Sequence, residues 1–258
     1  MELVEPPGWA VDAAIAGIEA MHTADYVDAL RTGADAWLAS SQGFDWDPGI
    51  WAMAVHSTAG VIAATESALA DGVAGSLSSG LHHAKPGTGD GFCTVNGLAI
   101  AAQRLAGPDS QVVILDLDAH CGGGTQQMLA AHDLHDQVRS YDLSTSAVDT
   151  YIPTHPDDRF VLMDGDDDTY LSAVQTMLDD IAWDRTRIVL YNAGMDPHPE
   201  ITKLALTIRE RMVFERAAAE RVPIAWVLAG GYTWGTTTMD DLVDLHWLTI
   251  DAAATVAR

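Results

Sequence analysis

Asp116, Asp118 and His120, three ionisable residues spaced two apart, follow directly on an apolar run in the stretch 111–125, QVVILDLDAHCGGGT. Val112 to Leu115 have the length and β-branched content of a strand buried on both faces. Side chains two apart on an extended backbone project to the same side, so if the extended conformation persists all three groups share one face. Leaving two carboxylates and an imidazole unpaired in a packed interior is costly. A metal ion would satisfy all three, and Gly122, Gly123 and Gly124 let the backbone pass close to whatever they surround. Taken alone, the stretch also fits a polar loop in which His120 is only hydrogen-bonded. Cys121 is read as a buried thiol, because its side chain points away from the face of His120 on extended backbone.

Three further segments carry reactive residue types. The stretch 76–97, SLSSGLHHAKPGTGDGFCTVNG, is too rich in Gly, Pro and Ser for a regular element, and long loops within compact domains are usually functional. Its adjacent His82 and His83 can face one ligand only from irregular backbone; the alternative is a pair of exposed histidines. The segment 192–200, NAGMDPHPE, supplies Asp196, and AGGYT at 229–233 supplies Gly230 to Tyr232.

The elements that must position these residues alternate. Helical spacing runs from Trp9 to about Ala39, with a break near His22 and Thr23. A longer helix spans about Pro48 to Leu69, with Gly72 as its stop. His22 and His56 within these helices are read as ordinary packing or surface residues. After the His82–His83 loop come a helix over 95–105, the central strand, and a helix over 125–131. Strands near 138–143 and 159–163, a helix over 169–181, a strand over 186–191, a helix over 201–220, a strand over 223–228 and a last helix from Met239 complete the chain. Alternating strands and helices predict an α/β fold, a mostly parallel sheet with helices on both faces, in one domain over 1–258. Ligands in open α/β sheets collect beyond the carboxyl ends of the strands, where Asp116–His120, Asp196, Gly230–Tyr232 and the His82–His83 loop form one candidate site.

Composition narrows the partners. The formal charge of −24, from 37 acidic against 13 basic residues, argues against nucleic acid, whose phosphates need clustered Lys and Arg. Such a field steers cationic small molecules or lysine-rich segments; the alternative is an acidic surface serving solubility or salt tolerance. No apolar stretch approaches a membrane span, and the N-terminus lacks a basic region and an apolar signal core. Cys93 and Cys121 form no disulfide framework, which fits a reducing compartment. The expectation is a soluble, cytoplasmic protein without membrane partners.

Six ordered blocks resemble the zinc-dependent histone deacetylase family, whose fold is shared with arginases. They are HTADYVDAL at 22–30, SGLHHAKP at 79–86, GFCTVNG at 91–97, LDLDAHCGGGT at 115–125, NAGMD at 192–196 and AGGYT at 229–233. The resemblance implies an arginase/deacetylase-like fold and hydrolysis of an acyl-amine: an acetyl-lysine peptide, an acetylpolyamine or another small amide. By the same resemblance Asp118, His120 and Asp196 are the metal ligands, and His82 and His83 handle the protons of the water and the leaving amine. Tyr232 donates to the carbonyl, Gly91 and Phe92 line the acyl channel, and Asp116 orients His82. Two carboxylates and one imidazole leave coordination positions open, as a catalytic Zn²⁺ site requires, and would also accept Fe²⁺ or Co²⁺.

Two departures stand out. Many members carry Asp or Asn where this chain has Gly123, which leaves His83 without an evident orienting partner. From this follows the expectation that Gly123→Asp would raise turnover about tenfold or a few tens. The chain also lacks the family's first strand and nearby N-terminal segment, so the mouth of the site is either more open or completed by a second copy in a homo-oligomer. Two competing functions follow. An arginase-type ureohydrolase would need more acids for a second metal, yet Gly122 occupies the spacing after His120. A non-catalytic metal or acyl-ligand binding protein is suggested by Gly123 and the missing N-terminal segment.

Overall fold

The computed structural model describes residues 2–108, 110–233, 235 and 237–257. Helices α1 (Gly8–Met21), α2 (Ala24–Thr32), α3 (Ala36–Ala39) and α4 (Gly49–Asp71) precede strand β1 (Val73–Ser79), and among the described residues no strand comes earlier. Then follow α5 (Gly97–Leu105), β2 (Gln111–Asp116), α6 (Gly123–Ala131), β3 (Val138–Ser144), β4 (Arg159–Leu162) and α7 (Asp167–Asp180). The chain continues through β5 (Thr186–Gly194), α8 (Lys203–Glu220), β6 (Ile224–Ala229) and α9 (Met239–Val256). The 6 strands form one sheet in the order β1-β6-β5-β2-β3-β4, and every neighbouring pair is parallel.

Alternation along the central strands divides the core in two. Val112, Ile114, Ile188, Leu190, Ala225 and Val227 face α1, α4 and α5, packing with Ile18, Ile62 and Leu98. Val113, Leu115, Val189, Tyr191, Ile224 and Trp226 face the other way, onto Val174, Phe214 and Leu245 of α7, α8 and α9. Every residue of β2 is buried, which is why its sequence is continuously apolar up to Asp116. Each fully buried Val, Leu or Ile contributes roughly 1.5–3 kcal/mol relative to exposure.

Among the boundaries that differ from the sequence reading, two shape the site. Strand β5 runs on to Gly194, because Ala193 and Gly194 stay in register with Leu228 and Ala229 of β6; Asp196 therefore leaves the sheet only two residues beyond its end. Helix α6 begins at Gly123 rather than Thr125, so the glycine run forms its first turn.

His22 takes the packing alternative of its reading. At the end of α1 it is buried, its Nδ1 lies 3.0 Å from the Lys85 carbonyl, and its Nε2 accepts from the Asn96 amide at 3.3 Å. It ties α1 to both ends of the loop that carries His82 and His83. His56 is exposed on α4. Burial lowers the His22 pKa from 6.5 to about 4. The unfolded chain therefore takes up this proton first, so the stability contributed by neutral His22 is complete above about 6.5 and drains as pH falls to about 4. The full loss is roughly 3 kcal/mol. Melting temperatures across that window should fall less steeply for His22→Asn than for the parent; parallel curves would show that another group governs the acid limb.

Candidate active site

The site grows from one register position shared by three strands. Asp116 of β2 lies beside Asp142 of β3 and Asn192 of β5, which places three polar side chains side by side at the end of β2 and within two residues of the ends of the other two strands. Asp116 Oδ2 sits 2.8 Å from His82 Nδ1, and its Oδ1 accepts from Asn192 Nδ2 at 2.8 Å and from the Asp118 amide at 3.2 Å. Asp118 Oδ1 in turn accepts from the His120 amide at 3.0 Å. The ladder thus stops at Asp116, and carboxylate-to-amide turns of the kind Asp favours replace the extended backbone after it. The convergence expected from simple alternation survives by this different route.

Asp118, His120 and Asp196 offer ligand atoms that all lie within 4.8 Å of one another. Asp196 Oδ1 accepts from the Ala119 amide at 2.9 Å. Its Oδ2 is buried without a well-directed hydrogen bond among the described residues, 3.0 Å from His120 Nδ1. A buried orphan oxygen beside a second carboxylate and an imidazole fits a divalent cation. The hydrogen bond to Asp118 and the Asp196 carboxylate close beside the ring push His120 up to about 10. A ligand must be deprotonated, so protons compete with metal here and affinity rises with pH. Burial works against the charged form of His82, but Asp116, Asp118 and Asp142 outweigh it and push that imidazole up to about 10; a bound cation opposes the rise.

Asp142 was not singled out in the sequence. Buried next to Asp116, it is pushed up to about 7 by burial and by that neighbour, and it accepts from the Gly122 amide at 2.7 Å and from Ser144 Oγ at 2.6 Å. Its signal was an acid inside a strand that is otherwise buried.

The His82–His83 loop bridges β1 and α5 and is pinned by Asn96. This fully buried N-cap of α5 accepts from the Ala99 amide, and its Nδ2 lies 3.1 Å from the His82 carbonyl and 3.2 Å from that of Ala84. The two imidazole rings stand 4.0 Å apart. His83 has a partner after all: its Nδ1 is 3.0 Å from Oδ2 of Asp149, a residue of the loop after β3. The same oxygen accepts from the Gly124 amide at 2.9 Å, and Lys85 Nζ lies 3.3 Å from Oδ1. A Cβ on Gly123 would sit 2.3 Å from the Asp149 carbonyl oxygen and 2.7 Å from its Oδ1. The expectation that Gly123→Asp restores a missing group is therefore overturned: the place is taken.

Gly91 and Phe92 both have positive φ, 50° and 64°, as the central pair of a tight turn closed by the Cys93 amide on the Asp90 carbonyl. That backbone is costly for a non-glycine residue; it holds the Phe92 ring out, 48% exposed, against Phe44 at 5.4 Å. Tyr232 is half-buried, and burial together with Asp196 and Asp118 raises its pKa, which keeps the phenol a donor. The Cys121 thiol donates to the Ser146 carbonyl at 3.2 Å, away from the site. Beneath the ligand turns lies Arg209 of α8, fully buried, which donates to the Leu117 carbonyl and the Tyr170 hydroxyl at 3.1 Å each and pairs with Glu210. No local motif marked it.

Replacing Asp118 or Asp196 by Ala should remove bound metal, since two protein ligands remain; stoichiometric metal in both purified variants would refute the assignment. Gly123→Ala should cost about 1–3 kcal/mol through overpacking, and Gly123→Asp more. A thermal melt as stable as the parent's would contradict the measured space.

The histone deacetylase domain matches residues 10–250. An uncharacterized protein of Picosynechococcus sp. is 33% identical over 259 residues, covering 93% of this chain and 82% of that protein. Histone deacetylase 2 of Arabidopsis thaliana is 30% identical over 191 residues, 67% of this chain and 48% of that protein. The acetoin utilization protein AcuC of Staphylococcus aureus is 57% identical over 51 residues, only 19% of this chain and 13% of that protein. In three dimensions, the crystal structure of acetylpolyamine aminohydrolase from Burkholderia pseudomallei is similar with a TM-score of 0.67, covering 99% of this chain and 93% of that one at 17% identity. At that identity the likeness establishes the arginase/deacetylase-like α/β fold. With the domain match spanning nearly the whole chain, this protein belongs to the histone deacetylase family.

Proposed function

We propose that this chain is a metal-dependent amide hydrolase that removes an acetyl or similar acyl group from an amine. The observation that carries the reading is the convergence of Asp118, His120 and Asp196 beside two imidazoles, each held through Nδ1 by a carboxylate. A zinc ion, or Fe²⁺ or Co²⁺, held by those three residues would lower the pKa of water to about 7 and polarise the amide carbonyl.

The protein's own groups do the rest. His82, with Nδ1 turned to Asp116, presents Nε2 toward the ligand residues, 3.6 Å from Asp118 Oδ1. It takes the water proton, and His83 delivers a proton to the departing amine nitrogen. Tyr232, kept protonated, donates to the oxygen that becomes negative. Gly91, Phe92 and Phe44 form an apolar wall suited to a methylene stem, and the acidic chain favours a cationic substrate. The substrates that fit are an acetyl-lysine peptide, an acetylpolyamine or another small acylated amine. Neither nucleic acid nor a membrane fits this charge and hydropathy; no helix among the described residues is long and apolar enough to cross a bilayer.

The competing readings lose support. Asp118, His120 and Asp196 are the one ligand group found among the described residues, so the second metal of an arginase-type site has no evident holder. Of the two grounds for the non-catalytic reading, Gly123 and the missing N-terminal segment, the first loses its force because Asp149 partners His83.

Zinc-loaded protein assayed against the three substrate classes should hydrolyse at least one, with inhibition by a hydroxamate that chelates the open metal position. Full metal occupancy with no turnover of any class would overturn the proposal.

A further inference from the structure

We infer that Asp149 is the positioning residue of His83, a carboxylate delivered from the loop after β3, and that Lys85 holds it in place. Its meaning for catalysis rests on the proposed amide hydrolysis; its existence rests on geometry alone.

Four independent constraints fix the Asp149 carboxylate: His83 Nδ1 at 3.0 Å, the Gly124 amide at 2.9 Å, Lys85 Nζ at 3.3 Å, and the space left by Gly123. The Gly124 amide belongs to the first turn of α6, where the helix dipole favours an anion. The backbone of Asp149 is left-handed, with φ of 58°. Such a conformation in a non-glycine residue persists where its surroundings over-determine it, and here that conformation turns the side chain into the site. Although burial opposes ionisation, His83 and Lys85 hold the group below the usual carboxylate range. Lys85 also pairs with Asp90 at 2.6 Å, in the turn that projects Phe92. The ion pair therefore links the second imidazole to the channel wall.

A carboxylate on Nδ1 fixes which ring nitrogen carries the proton. With Nδ1–H donating to Asp149, neutral His83 turns the Nε2 lone pair toward the site, where it can accept the second proton of the attacking water, the first having gone to His82, and pass it to the leaving amine nitrogen. No proton moves to Asp149 itself.

The test uses the full chain with ¹⁵N-labelled histidine. Asp149→Gly deletes the carboxylate at a residue whose φ glycine adopts freely, and Asp149→Asn keeps an accepting oxygen in a residue that tolerates left-handed backbone. In the parent, His83 should show a protonated Nδ1 and an unprotonated Nε2; in Asp149→Gly that preference should be lost. On the best substrate, kcat should fall about 10- to 100-fold for Asp149→Gly and less for Asp149→Asn, with KM and metal content unchanged. A folded, metal-loaded Asp149→Gly with the parental His83 tautomer and parental kcat would overturn the inference. If Asp149→Gly does not fold, unchanged kcat in Asp149→Asn does the same. If the parent hydrolyses nothing, the proposed function fails while the tautomer of His83 still decides this assignment.

Discussion

Four carboxylates, those of Asp116, Asp118, Asp142 and Asp196, are buried together at the carboxyl ends of β2, β3 and β5. Burial and a neighbouring carboxylate disfavour the ionisation of Asp142, beside Asp116, and of Asp196, beside Asp118, and the surrounding structure is arranged to answer that cost. Asp142 shifts toward its neutral form. Asp116 divides its oxygens between His82 and Asn192. Backbone amides at Asp118, Ala119, His120 and Gly122 all turn inward as donors. Among these carboxylates the oxygen left without a directed partner, Asp196 Oδ2, lies where Asp118, Asp196 and His120 meet. The site is thus the remainder of an electrostatic problem solved everywhere else.

That solution needs a rigid floor. Leu117 and Met195 immediately precede Asp118 and Asp196, and both touch the guanidinium of Arg209, the first through its carbonyl and the second through its sulfur. Glu210, held by Tyr191, balances the buried cation. A buried ion pair is a poor source of net stability, and a plausible gain is geometric definition. Here it fixes two ligand turns against one helix, while Asn96 and His22 do the same for the histidine loop from the opposite face of the sheet.

Most of the architecture was legible because β2, β5 and β6 read as uninterrupted apolar runs and the helices between them repeat at helical spacing. The candidate ligands and the paired histidines were legible for a simpler reason: acid, imidazole and glycine directly after a buried strand have few structural uses. The rest depended on three-dimensional neighbours. Asp149 is unremarkable in STSAVDT, and only the parallel pairing of β3 with β2 brings its loop over α6. Arg209 lies in a helix whose sequence suggests an ordinary charged face. His22 could be read as surface because its partners, Lys85 and Asn96, lie far along the chain. Strand β5 outran its apolar stretch because Ala193 and Gly194 borrow their order from β6.

The close approach at Gly123 makes residues 123 and 149 mutually exclusive tenants of one space. A side chain at 123 meets the carbonyl of 149 as well as its carboxylate, so shortening residue 149 alone does not make room; the loop itself must withdraw. The two ways of supplying a carboxylate to the second imidazole are therefore separated by a change in loop path rather than by a pair of substitutions. Any single step from one toward the other leaves either a clash or a bare imidazole.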